Sequence, residues 1–188
     1  MTTTVVSCGA LALHVKRIAA RRGWDIDVRP LPPELHNRPE RIAAAVDDQV
    51  TDCCLEGSER VVLAYADCGT GGALDGYERL PGLTCYDVLA HEEVHDLLAE
   101  EPGTYFLTDF LVRTFERTIV RSLGLDRHPE LRDDYFRHYT RVVWLAQRPT
   151  PELHARAERA AATLGLRLET RIVGEAGLER ALEEVLAC

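Results

Sequence analysis

Apolar positions recur along this chain with two different periods, and each change of period marks a new element. Thr3–Ser7 is a short β-branched run followed at once by Cys8-Gly9, which reads as a strand ending in a turn. Ala10–Arg22 then puts Leu11, Val15, Ile18 and Ala19 on one helical face and stops at Gly23. Asp25–Arg29 alternates through Ile26 and Val28 as a second strand, closed by Pro30 and the Pro32-Pro33 pair. Pro39 opens a helix reaching Val50, with Ile42, Ala45 and Val46 inward, and Arg60–Ala66 is a third, buried strand. Strands and helices in strict alternation predict a parallel sheet with right-handed crossovers.

The middle is glycine-rich (Gly69, Gly71, Gly72, Gly76) and then helical. Cys85–Ala90 and Glu92–Glu101 form two helical turns or one bent helix, stopped by Pro102-Gly103. Thr104–Leu107 reads as a short strand, Thr108 or Asp109 caps a helix running to Leu123, and Glu130–His138 follows the loop Gly124–Pro129 as a further helix. Val142–Ala146 returns to strand, Pro149 and Pro151 open a helix to Leu164, and Leu168–Val173 and Leu178–Leu186 are the last strand and helix. The expectation is a single α/β domain over 1–188, a three-layer Rossmann-like arrangement with a mostly parallel sheet of about five or six strands. Within it, 1–80 is a βαβαβ half with Cys-Gly turns, 81–139 a helical middle and 140–188 a βαβα unit.

Composition narrows the function classes. The 188 residues are 46% hydrophobic and 28% charged, a globular mix that excludes disorder and fibrous repeats. A formal net charge of −9 argues against nucleic acid or an anionic membrane as partner, since both demand a basic surface. No apolar run approaches a membrane span, and the start lacks a basic n-region and a signal-peptide core, so a cytoplasmic location is expected. In that compartment the six cysteines stay reduced, which sets a disulfide framework aside. Cys53 and Cys54 read as small hydrophobes and Cys188 as a fraying terminus.

Cys8, Cys68 and Cys85 stand apart. In open parallel sheets ligands sit beyond the carboxyl ends of the strands, near the point where strand order reverses. Cys8 ends the first strand and Cys68 the third, and each precedes a glycine (Gly9, Gly69) that leaves backbone room for a ligand. Cys8 also opens a helix, whose terminus favours thiolate over thiol, and Cys85 begins a helix after the glycine-rich loop. His36, after the second strand, joins the same rim. Three thiolates and an imidazole match a tetrahedral zinc site, and three thiolates alone leave one position for water or substrate. The metal set is therefore Cys8, Cys68, Cys85 and His36, with Gly9, Gly69 and Gly71 as backbone contacts to a bound group. His36, Tyr65 and Tyr105 are the candidate catalytic side chains.

Four stretches in order, Ser7-Cys8-Gly9-Ala10-Leu11, Leu31-Pro-Pro-Glu-Leu-His36-Asn-Arg-Pro39, Tyr65-Ala-Asp-Cys68-Gly69-Thr-Gly71 and Pro102-Gly-Thr-Tyr-Phe-Leu-Thr108, resemble the family called domain of unknown function 1638. The resemblance covers most of the chain and includes the Cys8, Cys68 and Cys85 positions and the Leu35-His36 pair, which implies a shared site. It also implies a corrinoid-dependent methyltransferase as partner, and through that setting methyl or one-carbon transfer. Where the family tends to place His-Asp before the last cysteine this chain has Leu83-Thr84, and Ala66 replaces a usual glycine.

Rival signals are weaker. His91-Glu92-Glu93-Val94-His95 spells the zinc-protease pattern, but the stripe Leu89, Val94, Leu97, Leu98 leaves both histidines solvated. Gly69-Thr70-Gly71-Gly72 could cradle an anion yet lacks a phosphate-loop lysine; Lys16, in the first helix, is the only lysine. Arg113, Arg117 and Arg121 form a solvated face, and Trp24 and Trp144 pack in the core or at an interface. The expected function is a zinc-dependent transferase or lyase acting on a small molecule. The alternatives are a non-catalytic metal-binding or corrinoid-partner module, an iron–sulfur protein with three cysteine ligands, and a metal-free cysteine nucleophile. A homodimer is compatible with exposed rim loops, though no feature demands one.

Overall fold

Alternating strands and helices produce parallel pairing throughout, in two sheets where one was expected. The computed structural model describes residues 2–187, so Cys188 lies outside the described residues. The chain runs β1 (Thr3–Cys8), α1 (Ala12–Arg22), β2 (Ile26–Leu31), α2 (Ile42–Leu55) and β3 (Arg60–Ala64). It continues through α3 (Cys85–Glu100), β4 (Thr104–Thr108), α4 (Asp109–Phe115) and α5 (Leu131–Phe136). The last elements are β5 (Arg141–Ala146), α6 (Pro151–Leu164), β6 (Arg167–Ile172) and α7 (Ala176–Ala187). The sheets have the orders β2-β1-β3 and β4-β5-β6. The α/β class and the parallel pairing stand; the sheet of five or six strands is corrected to three strands in each of two sheets.

The reason lies on the outer edge of β3. After a tight loop the chain returns along it: Leu63 N donates to Glu78 O at 2.8 Å and Leu80 N to Leu63 O at 3.1 Å. The middle of that edge is thus taken up at Leu63 by the chain's own returning loop, and β4 starts a second sheet. The chain correspondingly divides into two compact units, Met1–Leu89 with Glu175–Cys188, and Ala90–Gly174. No composition shift marks either boundary. One of them falls inside α3, at Ala90, where the backbone leaves helical geometry (φ −159°, ψ 63°).

In the first unit β1 is central and its residues from Thr4 to Cys8 are buried, as a strand covered on both faces requires. Val5, Val6, Val62 and Leu63 are fully buried, each side chain contributing about 1.5–3 kcal/mol by leaving water. Strand β2 buries Val28 and Leu31, exposes Asp27 and Pro30, and accommodates Pro30 because it is an edge strand, where a missing N–H goes unnoticed. The helix expected from Pro39 begins as a 3₁₀ turn, Pro39–Arg41, and becomes α-helical only at Ile42. Since β1 pairs with β2 on one side and β3 on the other, the strand order reverses between β1 and β3.

In the second unit β5 is central and wholly buried. Trp144, Val142 and Ala146 pack with Leu107, Val112, Phe115 and the inward face of α6. Thr108 and Thr150 cap α4 and α6 by accepting from Leu111 N and Leu153 N. The helix expected to run to Leu123 is α-helical only to Phe115 and continues as a π-helical turn, Glu116–Arg121. There Thr114 and Thr118 donate their hydroxyls to the carbonyls four residues earlier, competing with the α-helical ladder. Arg113, Arg117 and Arg121 are exposed, and so are His91 and His95; Leu98, expected inside, is 39% exposed. Among the described residues no helix is long and apolar enough to cross a membrane.

Candidate functional site

The site lies in the first unit, at the carboxyl ends of β1 and β3, where the strand order reverses. Cys8 is the last residue of β1 and fully buried. The turn that follows folds over it: Leu11 N donates to Cys8 O at 2.9 Å and Ala10 N to Cys8 Sγ at 3.4 Å. Helix α1 begins only at Ala12, so Cys8 does not open it. Gly9 is glycine for a different reason from the one expected. A Cβ there would stand 2.5 Å from Leu31 O and 2.8 Å from Pro33 Cδ, so the space it leaves is filled by the protein's own chain rather than by a bound group.

That crossing chain delivers His36. Leu31 pairs with Cys8 in the sheet, and Pro33–Asn37 then coil as a 3₁₀ turn. The ring's Nδ1 lies 3.0 Å from Pro33 O. A carbonyl only accepts, so Nδ1 carries a proton, and in the neutral ring Nε2 is the nitrogen with the lone pair. Nε2 stands 3.7 Å from Cys8 Sγ.

Cys68 arrives from β3 through the buried residues Tyr65 and Ala66. It takes a left-handed backbone (φ 52°), the one described non-glycine residue to do so. Its N–H donates to Leu83 O at 2.8 Å, and Asp67 N to Gly82 O at 3.1 Å, so the returning loop runs alongside. Cys85 follows directly. Thr84 and Asp87 form a capping box at the start of α3: Asp87 N donates to Thr84 Oγ1 at 3.3 Å, and Thr84 N to Asp87 Oδ2 at 2.8 Å. This box fixes the first helical turn and with it Cys85. Thr84, one of the three residues departing from the resembled family's pattern, therefore has a structural task here.

The glycine-rich loop already holds an anion, and it is internal. The Asp67 carboxylate accepts from Gly72 N (2.7 Å), Thr70 Oγ1 (2.9 Å), Gly69 N and Gly71 N (both 3.2 Å). These bonds, Gly72's foremost, hold the Asp67 carboxyl below its ordinary range. The N–H groups of Gly69 and Gly71, expected to contact a bound group, donate here to Asp67. Asp67 was missed at the sequence level, although an acid just before a Gly-x-Gly-Gly run is a recognisable turn-anchoring signal.

Electrostatically the three thiols form one system. Burial pushes Cys8 up to about 12, against the lowering effect of the Ala10 N–H, and Cys68 raises it further. Burial also pushes Cys68 up to about 11 and Cys85 well above the ordinary thiol range, with Cys8 and Cys68 both adding to the latter. The thiolate expected at Cys8 from a helix terminus is thus overridden by desolvation. The four donors are gathered but not collapsed: no three of Cys8, His36, Cys68 and Cys85 have ligand atoms all within 4.8 Å of one another.

Tyr65 borders the same cluster. Its ring is nearly parallel to His36 (10° between planes, centroids 6.2 Å apart) and it is fully buried. Burial, then Cys8 and Cys68, raise its phenol. Its hydroxyl has no hydrogen-bond partner, an omission that costs about 1–3 kcal/mol. Tyr105 belongs to the second unit, near the amino end of β4, its ring edge-on to Phe136 and Tyr139. Burial there pushes it up to about 12. Tyr105, expected at the rim, thus belongs to a different unit from the four donors, near the amino end of its own strand. Of the other cysteines, Cys53 is buried and Cys54 exposed, and all five described are free thiols. A cavity of about 550 Å³ opens at the opposite, amino end of β1 and β2, lined by Trp24 and Glu183 among others, with no comparable cluster of donors.

Three thiols and an imidazole gathered where a three-stranded parallel sheet reverses its order define an α/β protein with a cysteine-rich rim. The family described as Protein of unknown function (DUF1638) matches residues 30–182, and the chain belongs to it. The matched span takes in His36, Cys68 and Cys85, while Cys8 precedes it. No curated protein and no solved structure matches the chain.

Proposed function

We propose that this chain is a zinc-dependent enzyme acting on a small molecule, its metal held by Cys8, Cys68 and Cys85 with His36 as a fourth, exchangeable donor. The observation that carries the reading is the 3.7 Å approach of His36 Nε2 to Cys8 Sγ, with Nδ1 tied to a backbone carbonyl. Two ligands of one tetrahedral zinc, a sulfur at about 2.3 Å and a nitrogen at about 2.0–2.1 Å, stand about 3.6 Å apart. The Nδ1 bond to Pro33 O is the outer contact that metal-binding histidines commonly make, and it presents the ligating tautomer. A dication also supplies what the thiols lack. Three neighbouring buried sulfurs cannot ionise together unaided, and a bound divalent cation deprotonates them.

The same burial weighs against a metal-free cysteine nucleophile, which needs a lowered pKa. Bound zinc would lower the pKa of a small thiol or polarise a carbonyl. His36 is the ligand to be exchanged, being neutral and on a half-buried turn, whereas the thiolates are charged and Cys8 is fully enclosed. Methyl or one-carbon transfer, with a corrinoid-dependent methyltransferase as partner, rests on the family resemblance. Free thiols at all five described cysteines accord with a cytoplasmic location.

Metal analysis of protein purified under reducing conditions tests the reading. About one zinc per chain is expected; under about a tenth, with folding unchanged by a chelator, defeats it. A brown protein with visible absorption after anaerobic purification replaces zinc by an iron–sulfur cluster.

A further inference from the structure

The metal reading leaves the Tyr65 hydroxyl unexplained; among the described residues it and Arg17 Nη1, on α1, are the buried side-chain polar atoms without a partner. Tyr65 follows β3 directly, is fully enclosed, and its hydroxyl meets no acceptor. Phenylalanine would fill the same space without stranding a donor, so the hydroxyl is a liability in the protein alone. Its surroundings are not neutral packing: His36 lies parallel to the ring, and Cys8 and Cys68 are the ionisable groups that bear on it. A buried donor on a ring that lies parallel to the His36 imidazole, with no partner from the chain, is matched by an acceptor that arrives with a bound molecule.

We propose that the Tyr65 hydroxyl is the recognition donor for a small exogenous ligand at the thiol centre, a ligand that binds through sulfur or oxygen and not through an amine nitrogen. The inference deepens the metal reading and rests on it. A thiolate sulfur or a carboxylate oxygen that gives one lone pair to a metal keeps another, which accepts the phenol proton. An amine spends its only lone pair on the metal and offers N–H groups alone, so the phenol proton stays unmet. Tyr65 thereby separates ligands by what remains on the bound atom, and His36, the exchangeable donor, vacates the position they take.

The test uses the full chain loaded with equimolar cobalt(II), whose visible spectrum reports its ligands, and three probes: 2-mercaptoethanol, acetate and ethylamine. The thiol or the carboxylate is expected to change the wild-type spectrum, and which of them binds more tightly assigns sulfur or oxygen. Tyr65→Phe is expected to weaken that probe about ten-fold or more, the worth of a hydrogen bond to a charged acceptor, while ethylamine binding stays within about two-fold. The metal-free variant should melt no lower than wild type, because it loses only an unpaired hydroxyl. The inference is overturned if cobalt binds but no probe alters its spectrum, or if Tyr65→Phe leaves all three affinities equal or lowers them equally. Failure of the wild-type protein to take up cobalt is a separate result: it overturns the metal reading, and this inference with it.

Discussion

The carboxyl rims of the two sheets contrast in how their buried polar groups are satisfied. At the end of β4 the carboxylate of Asp109 is completely buried and receives Trp144 Nε1 (3.0 Å), Gln147 N (3.1 Å) and Arg148 N (2.8 Å). Asp109 N in turn donates to Gln147 Oε1 at 2.9 Å. That rim is closed by its own chain. At the ends of β1 and β3, by contrast, three thiols sit protonated by burial and a phenol is left unpaired. Strand order differs in the same sense: β4-β5-β6 proceeds without reversal, while β2-β1-β3 reverses. A parallel sheet with no switch point has no crevice to keep, and its rim can be sealed. The difference teaches that the unpaired phenol and the buried thiols go with the rim that has a switch point and not with this chain's rims in general.

Three experiments sharpen or break the contrast. The largest effect is expected for Cys85→Ser, which removes one thiolate: metal content should fall from about one equivalent to under a tenth, given that structural zinc sites are worth about 10–16 kcal/mol. Full occupancy in that variant would remove Cys85 from the centre. Next, Asp109→Ala strands the indole and two backbone N–H groups at the closed rim. A loss of about 3–5 kcal/mol in urea unfolding is expected, with metal content unchanged. A parallel drop in metal content would show that the two rims are not independent.

The smallest effect is a pH dependence at the glycine-rich loop. The Asp67 carboxyl is lowered from 3.8 in the folded chain. The contribution of its bonds to Gly69, Gly71 and Gly72 is therefore present above that unfolded value and lost as pH falls through the lower, folded one. The amide resonance of Gly72 should titrate with a midpoint below 3.8. A midpoint at or above it would return Asp67 to an ordinary solvated carboxylate.

Much of the first unit was legible in the sequence. The β-branched run before Cys8, the prolines around His36 and the apolar run before Cys68 each announce a strand end or a turn, and the parallel order follows from alternation. What periodicity does not carry is which strand pairs with which. Glu78 and Leu80 bonding back to Leu63 seal the edge of β3, and their sequence reads as loop. The route of Cys85 to the site depends on the same return. Thr84-Cys85-Tyr86-Asp87 does spell a capping box, so the helix start at Cys85 was readable even though its neighbours in space were not. Nor does the Pro102-Gly103-Thr104-Tyr105 stretch carry which sheet its strand joins, and β4 begins the second one.

Cys68 occupies a backbone region that costs a residue with a Cβ about 1–2 kcal/mol. Its successor Gly69, at φ 82°, enters that region freely. Were foldability the only pressure on this turn, mutation would drift downhill to glycine at position 68, and the one thing lost would be a sulfur atom. Relatives that have abandoned the centre are accordingly expected to carry glycine there, and those that retain cysteine against the gradient to retain the chemistry as well.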